Sequence, residues 1–289
     1  MGWIARRKLA AAVCNAGGLG IIETSSGEIE NCIEEIKAMP KLTDQPFGVN
    51  LPLMFLADDR MVNIVADAGV KFVTTSAGDP SKYIQILKDA NITVFHAVPS
   101  LKGALKAVDA GVDGLVVEGT EGGGFKASEE VGLHVLIQSI KKHTDMPIVA
   151  AGGIVDGRGM AAAFAAGAEG IQMGTRFVSS IESPVHNNYK NKIIESSEEG
   201  TFILNKKGRP CIRALKSNLT EEIYEKGVMD MSALGGIKNL YFEGDMEAAP
   251  ALAGQSIGLI DEVKPVKNII EETIAEFNAI CDAMPMAKL

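Results

Sequence analysis

Short apolar runs alternate with longer amphipathic segments along most of the chain, and this alternation predicts its secondary structure. The short runs are rich in Val and Ile and contain few polar residues, which is typical of strands buried on both faces of a parallel sheet. The longer segments have a helical period, as over residues 28–39 and 81–90. Seven strands are predicted in this way, over residues 19–22, 47–51, 71–76, 92–98, 114–119, 147–153 and 170–175.

Repeated strand and helix units predict an α/β fold, a TIM (β/α)8-type barrel. Eight strands close such a barrel, and this chain opens directly on a helix, so we expect its first strand to be missing or truncated. Residues 183–250 do not show this alternation of strand and helix patterns, and they predict a small, mainly helical lid over the barrel. The expected domains are a barrel over residues 1–182, this lid, and a C-terminal turn and helix over residues 251–289 that pack back on the barrel.

Composition narrows the possible partners. The chain has 289 residues, 46% of them hydrophobic, which is enough for the core of one barrel. Its formal net charge of −9 argues against nucleic acid as a partner. We find no apolar run of about 20 residues and no signal-peptide pattern, so no membrane partner and a cytoplasmic location are expected. Four separated cysteines without metal-ligand spacing predict reduced thiols and no metal.

Two glycine-containing loops follow the last two predicted strands, where barrels of this type often bind phosphate. The first, "AAGGIVDGRG", contains Gly152 and Gly153 and leads into a helix starting near Asp156, whose N-H groups would point at an anion. The second, "QMGTRF", adds Gly174 and the hydroxyl of Thr175. Either loop alone is equally well explained as a tight turn, but the two together predict a phosphate site.

Four segments resemble one family of flavoproteins: "FGVNL", "EGTEGGGF", "AAGGIVDGRGMAAAFAAGAEGIQMGTRF" and "GQSIGLIDEVKPV". This family includes nitronate monooxygenase (2-nitropropane dioxygenase) and the FMN-dependent enoyl-ACP reductase II. The resemblance covers nearly the whole chain and is most specific over residues 147–177. It implies a TIM barrel that binds FMN, with the phosphate on the last two strands. The cofactor-binding residues implied are Met1, Gly2, Asn50, Glu118, Gly123, Gly124, Gly152, Gly153, Gln172, Met173, Gly174 and Thr175.

The sequence departs from the family at Phe125, which ends the glycine run where both named activities have a histidine. A phenyl ring neither accepts nor donates a proton. Oxidation of a neutral nitroalkane requires removal of a proton, whereas a nitronate arrives deprotonated and tolerates Phe125. Enoyl reduction needs NAD(P)H to reduce the flavin and a proton, which water could supply at some loss of rate.

One histidine, His96, ends the apolar run "ITVFH" and is therefore expected at the catalytic rim. It is either a replacement acid or flavin contact, or a histidine that bonds local backbone groups without chemistry. Glu118 and Glu121, which flank the glycine run, are alternatively solvated loop carboxylates or helix-cap partners.

The first functional hypothesis is an FMN-dependent oxidoreductase that oxidises alkyl nitronates with O2. The alternatives are an NAD(P)H-dependent enoyl thioester reductase that uses FMN, and a flavin-binding protein without turnover. The expected partner is a small-molecule substrate, a nitronate or an enoyl thioester. The sequence leaves a homodimer and the physiological substrate open.

Overall fold

A computed structural model describes residues 1–56 and 59–284 of the chain. Within these residues the elements are numbered in chain order. The strands are β1 (Ile21–Glu23), β2 (Gly48–Pro52), β3 (Phe72–Ser76), β4 (Thr93–Val98), β5 (Gly114–Glu118), β6 (Gly124–Lys126), β7 (Ile148–Ala151), β8 (Gly170–Gln172), β9 (Thr201–Leu204) and β10 (Cys211–Leu215). The α-helices are α1 (Arg7–Asn15), α2 (Ile29–Ala38), α3 (Arg60–Asp67), α4 (Ile84–Asp89), α5 (Leu101–Asp109), α6 (Leu133–Lys141), α7 (Gly157–Ala165), α8 (Thr175–Val178), α9 (Asn187–Ile194), α10 (Asn218–Lys226) and α11 (Val266–Ala283).

Seven parallel strands form the main sheet, in the order β1-β2-β3-β4-β5-β7-β8. They match the seven strands predicted from sequence to within a few residues, and helices lie between them along the chain. Consecutive parallel strands joined by helices are the arrangement of a TIM barrel, so the predicted fold class is confirmed. In the described residues β1 and β8 do not pair, and the sheet is a curled barrel with a seam between them.

The segment before α1 lies beside this seam. The backbone N-H of Glu23 in β1 donates to the carbonyl of Ala5 over 3.0 Å. On the other side, a Cβ built on Gly174, which follows β8, would lie 3.9 Å from the sulfur of Met1. Residues 1–5 therefore lie at the seam, with Ala5 bonded to β1 and the Met1 side chain beside the loop after β8.

Alternation along each strand sorts its side chains into two layers. Val49, Val73 and Val94 pack with Ile36 of α2 and Val65 of α3 in one cluster, so every second residue of β2, β3 and β4 faces the helices. The residues between them face the barrel interior. There the rings of Phe72 and Phe95 fill space, with their centroids 5.2 Å apart.

The lid is less helical than the sequence predicted. Residues 183–250 contain an antiparallel hairpin of β9 and β10, joined by the turn at residues 205–210, beside α9 and α10. Two apolar runs separated by a polar turn containing Gly and Pro are a hairpin signal, which accounts for the difference. Strand β10 also pairs with β6, so the lid hairpin and the loop after β5 share one three-stranded sheet.

The C-terminal helix packs against helices of the barrel. Helix α11 lies against α7 and α1, and its Phe277 ring packs against Phe164 of α7 with centroids 5.1 Å apart. Ile269 is buried, whereas Ile274, from the same predicted apolar series, is 44% exposed. The precise division into three domains stays a prediction.

Candidate active site

The candidate site lies at the mouth of the barrel, meaning the carboxyl ends of the seven parallel strands and the loops that follow them. Three inward-facing polar residues lie at or near the carboxyl ends of these strands: Asn50 in β2, Glu118 in β5 and Gln172 in β8. The side-chain amide of Asn50 donates to the hydroxyl of Thr74 over 3.0 Å, which fixes its orientation. The structure thus brings together candidates separated by more than 100 residues.

The loop after β7 is shaped by a neighbouring backbone. Gly152 and Gly153 have φ angles of +94° and +77°, which L side chains rarely adopt. A Cβ on Gly152 would lie 2.9 Å from the backbone nitrogen of Gly122. The backbone at Gly122 comes so close that only glycine fits at position 152. This supports the tight-turn interpretation of the loop and leaves the phosphate interpretation open.

The loop after β8 is more open. A Cβ on Gly174 would meet one atom within 4 Å, the sulfur of Met1 at 3.9 Å. The Thr175 hydroxyl accepts a hydrogen bond from the N-H of Gly254 over 3.0 Å. Within the described residues, the backbone N-H groups of Gly152, Gly153, Gly174 and Thr175 have no internal acceptor. Four N-H donors on two adjacent loops are a suitable anion site.

Helix α7 is not available to that site, in contrast to the sequence expectation. The N-H of Gly159 donates to the carboxylate of Asp156 over 2.8 Å, and the N-H of Gly157 donates to Glu276 over 2.9 Å. Two carboxylates therefore occupy the helix N-terminus and already interact with its dipole. A phosphate at this position would be repelled by them.

The remaining cofactor candidates border the same region. A Cβ on Gly2 would lie 3.1 Å from the Ser25 hydroxyl, and one on Gly123 would lie 2.6 Å from the carbonyl carbon of Ala253. Gly124 begins β6 with a φ of +79°. Met173, between β8 and Gly174, packs against buried residues of the core.

Phe125 lies above the mouth with a second aromatic residue. Phe125 is 42% exposed, and the centroid of its ring is 6.0 Å from that of Phe55, which is 53% exposed and belongs to the turn after β2. Sequence reasoning did not identify Phe55. The two rings form an apolar surface, called here the aromatic pair, at the opening of the site.

Two further charged residues were missed. Lys126 follows Phe125, and its ammonium group contacts the carboxylate of Glu118. Glu23, at the end of β1, is 1% exposed and accepts hydrogen bonds from the N-H of Trp3 and of Ser25, while Arg6 contacts it over 3.0 Å. The position of Lys126 next to Phe125 could have identified it, because neighbouring residues in a strand face opposite sides.

His96 points away from the mouth. It shares the alternation of Val94 and Val98, which face the helices, and its Nδ1 lies 2.7 Å from the hydroxyl of the buried residue Thr75. Burial lowers the pKa of His96 to about 4. The structure therefore separates His96 from the other candidates, and no catalytic role is assigned to it.

The neutral state of His96 predicts a pH effect on stability. Its pKa in the fold, about 4, is below the ordinary value of 6.5. Between these values the unfolded chain binds a proton that the folded chain does not bind, so stability falls as the pH decreases through this range. We expect His96→Asn to remove up to about 1.4 kcal/mol per pH unit of this slope, measured by urea unfolding from pH 7.5 to 4.5. An unchanged slope would contradict the assignment.

Comparison with known proteins is consistent with this geometry. The family model described as nitronate monooxygenase matches residues 1–59 and 53–276, which is most of the chain. The chain belongs to the nitronate monooxygenase family. A probable nitronate monooxygenase of Staphylococcus saprophyticus is 27% identical over 94% of this chain and 91% of its own length. A second relative is named (3aS,4S,5R,7aS)-5-hydroxy-7a-methyl-1-oxo-octahydro-1H-indene-4-carboxyl-CoA dehydrogenase, from Rhodococcus jostii, and is 29% identical over 98% of this chain and 92% of its own length.

Two solved structures are similar over nearly the whole chain. FabK of Thermotoga maritima, an enoyl-ACP reductase II, is 40% identical, with a TM-score of 0.92 over 98% of this chain and 92% of its own. A nitroalkane oxidase of Streptomyces ansochromogenes is 25% identical, with a TM-score of 0.86 over 98% of this chain and 95% of its own. The nitronate monooxygenase family consists of flavin-dependent oxidoreductases, and this chain is an enzyme of that type.

The mouth fits a phosphorylated flavin on two observations: the space beside Gly174 is open, and four backbone N-H groups point to no internal acceptor in the described residues. No helix among residues 1–56 and 59–284 is long and apolar enough to span a membrane. In the same residues, no group of three or more His, Cys, Asp or Glu is arranged as metal ligands.

Proposed function

We propose that this protein is an FMN-dependent oxidoreductase that oxidises alkyl nitronates with O2. The observation that carries the proposal is Phe125, a residue without acid or base chemistry at the mouth, where it is 42% exposed. A nitronate has already lost its α-proton, so its oxidation needs no base there. FMN, when bound, supplies the electron transfer from substrate to O2.

The residues of the chain have separate roles in this proposal. The N-H groups of Gly174 and Thr175, with those of Gly152 and Gly153, hold the phosphate. Asn50, Glu118 and Gln172 line the inner wall and hold the polar parts of the cofactor. The aromatic pair accepts the alkyl part of the substrate and excludes water from it, because transfer of apolar area out of water is favourable.

A second candidate function is the NAD(P)H-dependent reduction of enoyl thioesters with the same cofactor. It is favoured by the 40% identity to FabK, which exceeds the 27% identity to the staphylococcal relative. The proton for the substrate carbon would then come from water. An exposed aromatic pair accommodates an acyl chain as readily as a nitronate alkyl group.

Two assays on the purified protein distinguish these functions. We expect O2 uptake with propyl-2-nitronate in the absence of NAD(P)H, and FMN in the supernatant after heat denaturation. NAD(P)H oxidation that depends on crotonyl thioester, without O2 uptake on nitronate, would replace the first proposal by the second. Bound FMN without either activity would favour a flavin-binding protein without turnover.

A further inference from the structure

Lys126 is a buried cation that the proposed reaction does not use. Its side chain is 3% exposed, whereas the neighbouring residue Phe125 is 42% exposed. The difference follows from strand geometry, since consecutive residues of β6 face opposite sides. Phe125 therefore points over the opening of the site toward Phe55, and Lys126 reaches back toward strand β5.

The ammonium group of Lys126 contacts Oε1 of Glu118 at the carboxyl end of β5. The two partners differ in solvent exposure: the Glu118 side chain is 34% exposed, and that of Lys126 is 3% exposed. The carboxylate thus faces the mouth and the ammonium lies behind it. The nearby Arg213 is committed elsewhere, since it donates to the carbonyl of Thr120 and the hydroxyl of Thr201.

Gly122, the first of the three consecutive glycines, leaves room for this ion pair. A Cβ at Gly122 would lie 2.8 Å from both Oε1 of Glu118 and Nζ of Lys126, and 3.4 Å from the Cα of Gly152. The ion pair is therefore enclosed by the glycine loop and stands beside the loop after β7. This places the Glu118 carboxylate next to the loop after β7, one of the two loops proposed to hold the flavin phosphate.

We propose that Lys126 is a positioning residue that holds the Glu118 carboxylate directed into the mouth, where it accepts hydrogen bonds from the ribityl hydroxyl groups of the flavin. This inference rests on the proposed FMN cofactor. An ionised carboxylate only accepts hydrogen bonds, and hydroxyl groups are suitable donors to it. Without the Lys126 ammonium group, the Glu118 carboxylate would lose the contact that fixes its direction and would turn toward water.

Three flavins test the role, because each adds one part of the cofactor. Lumiflavin has the ring alone, riboflavin adds the ribityl chain, and FMN adds the phosphate. We expect Lys126→Met to raise the dissociation constants of riboflavin and FMN by about 10- to 100-fold, the range for a hydrogen bond to a charged group. Lumiflavin should change by less than about two-fold, the scatter expected for a contact that the variant does not remove. Flavin fluorescence titration measures all three.

Further variants separate positioning from folding. Glu118→Gln should give the same selective loss, and the Lys126→Met/Glu118→Gln double variant should lose no more than either single variant, because the two residues act as one unit. Lys126→Arg should restore most of the affinity. The matched control is Lys206→Met, which removes an exposed ion pair between Lys206 and Glu130 in the same region and should leave all three affinities unchanged.

The outcomes that overturn the inference are distinct. Equal losses for lumiflavin, riboflavin and FMN would mean that Lys126 only supports the fold of the lid. Unchanged binding of all three in Lys126→Met would mean that Glu118 does not depend on it. A wild-type protein that binds none of the three flavins would overturn the proposed cofactor itself, and this inference with it.

Discussion

Gly174→Asp is expected to abolish tight FMN binding while riboflavin still binds. Gly174 has a φ of −106°, which any L residue adopts, and the nearest atom to a Cβ there is the Met1 sulfur at 3.9 Å. The side chain therefore fits without strain, and its carboxylate would stand where the phosphate is proposed. Two like charges about 4 Å apart repel by about 4 kcal/mol at an effective dielectric constant of about 20, which corresponds to roughly 10³-fold in affinity.

The control for this prediction is Gly174→Asn, which has nearly the same shape without the charge. It should weaken FMN binding far less than Asp does. Isothermal titration with FMN and riboflavin provides the comparison, and thermal unfolding without ligand checks that the fold is intact. If Asn and Asp weaken FMN equally, the effect is steric. If riboflavin is lost together with FMN, the phosphate does not bind at this loop.

Phe125→His is expected to create activity on neutral nitroalkanes. The Phe125 ring lies over the mouth, and an imidazole in its place has a pKa near neutrality, which suits removal of the substrate's α-proton. General-base catalysis typically contributes about 10²- to 10⁴-fold in rate. O2 uptake with 2-nitropropane should therefore rise from near background to a clear signal, while the rate with propyl-2-nitronate should change much less.

Phe55→His is the matched control, because the Phe55 and Phe125 centroids are 6.0 Å apart and both rings are partly exposed. It brings the same imidazole to the other half of the aromatic pair. We expect no comparable gain from it, since the family resemblance places Phe125, and not Phe55, at the histidine position. If Phe125→His gains nothing while its FMN content is unchanged, residue 125 does not reach the reacting carbon.

The strands of the barrel could be predicted from sequence because each is an apolar run bounded by polar or glycine-rich turns. The direction of the His96 side chain could not be predicted in this way. Strands buried on both faces are apolar at every position, so the sequence pattern does not reveal which alternate residues face the helices, and an offset of one residue reverses the face. The contact between His96 and Thr75 joins two neighbouring strands and becomes visible only once they are paired.

The site was predictable where glycine loops follow strands and was not predictable where side chains meet across elements. Gly152 and Gly174 were recognised from local sequence, although the role of Gly152 also depends on the backbone of Gly122. The contact between Lys126 and Glu118 joins the lid sheet to the barrel. The carboxylates of Asp156 and Glu276 at α7 likewise come from different parts of the chain, so the helix dipole alone predicted the wrong occupant.

The sheet shared by β6, β9 and β10 has a consequence for how the protein opens. Because β6 carries Phe125 and Lys126 and pairs with β10, any displacement of the hairpin moves both residues together. Separating β10 from β6 would break their backbone hydrogen bonds, so the backbone amides of residues 124–126 should exchange with deuterium at the rate of the hairpin, and not at that of strands β5 and β7. The part of the rim formed by β6 would then open together with the hairpin of β9 and β10, while the strands of the barrel remain paired.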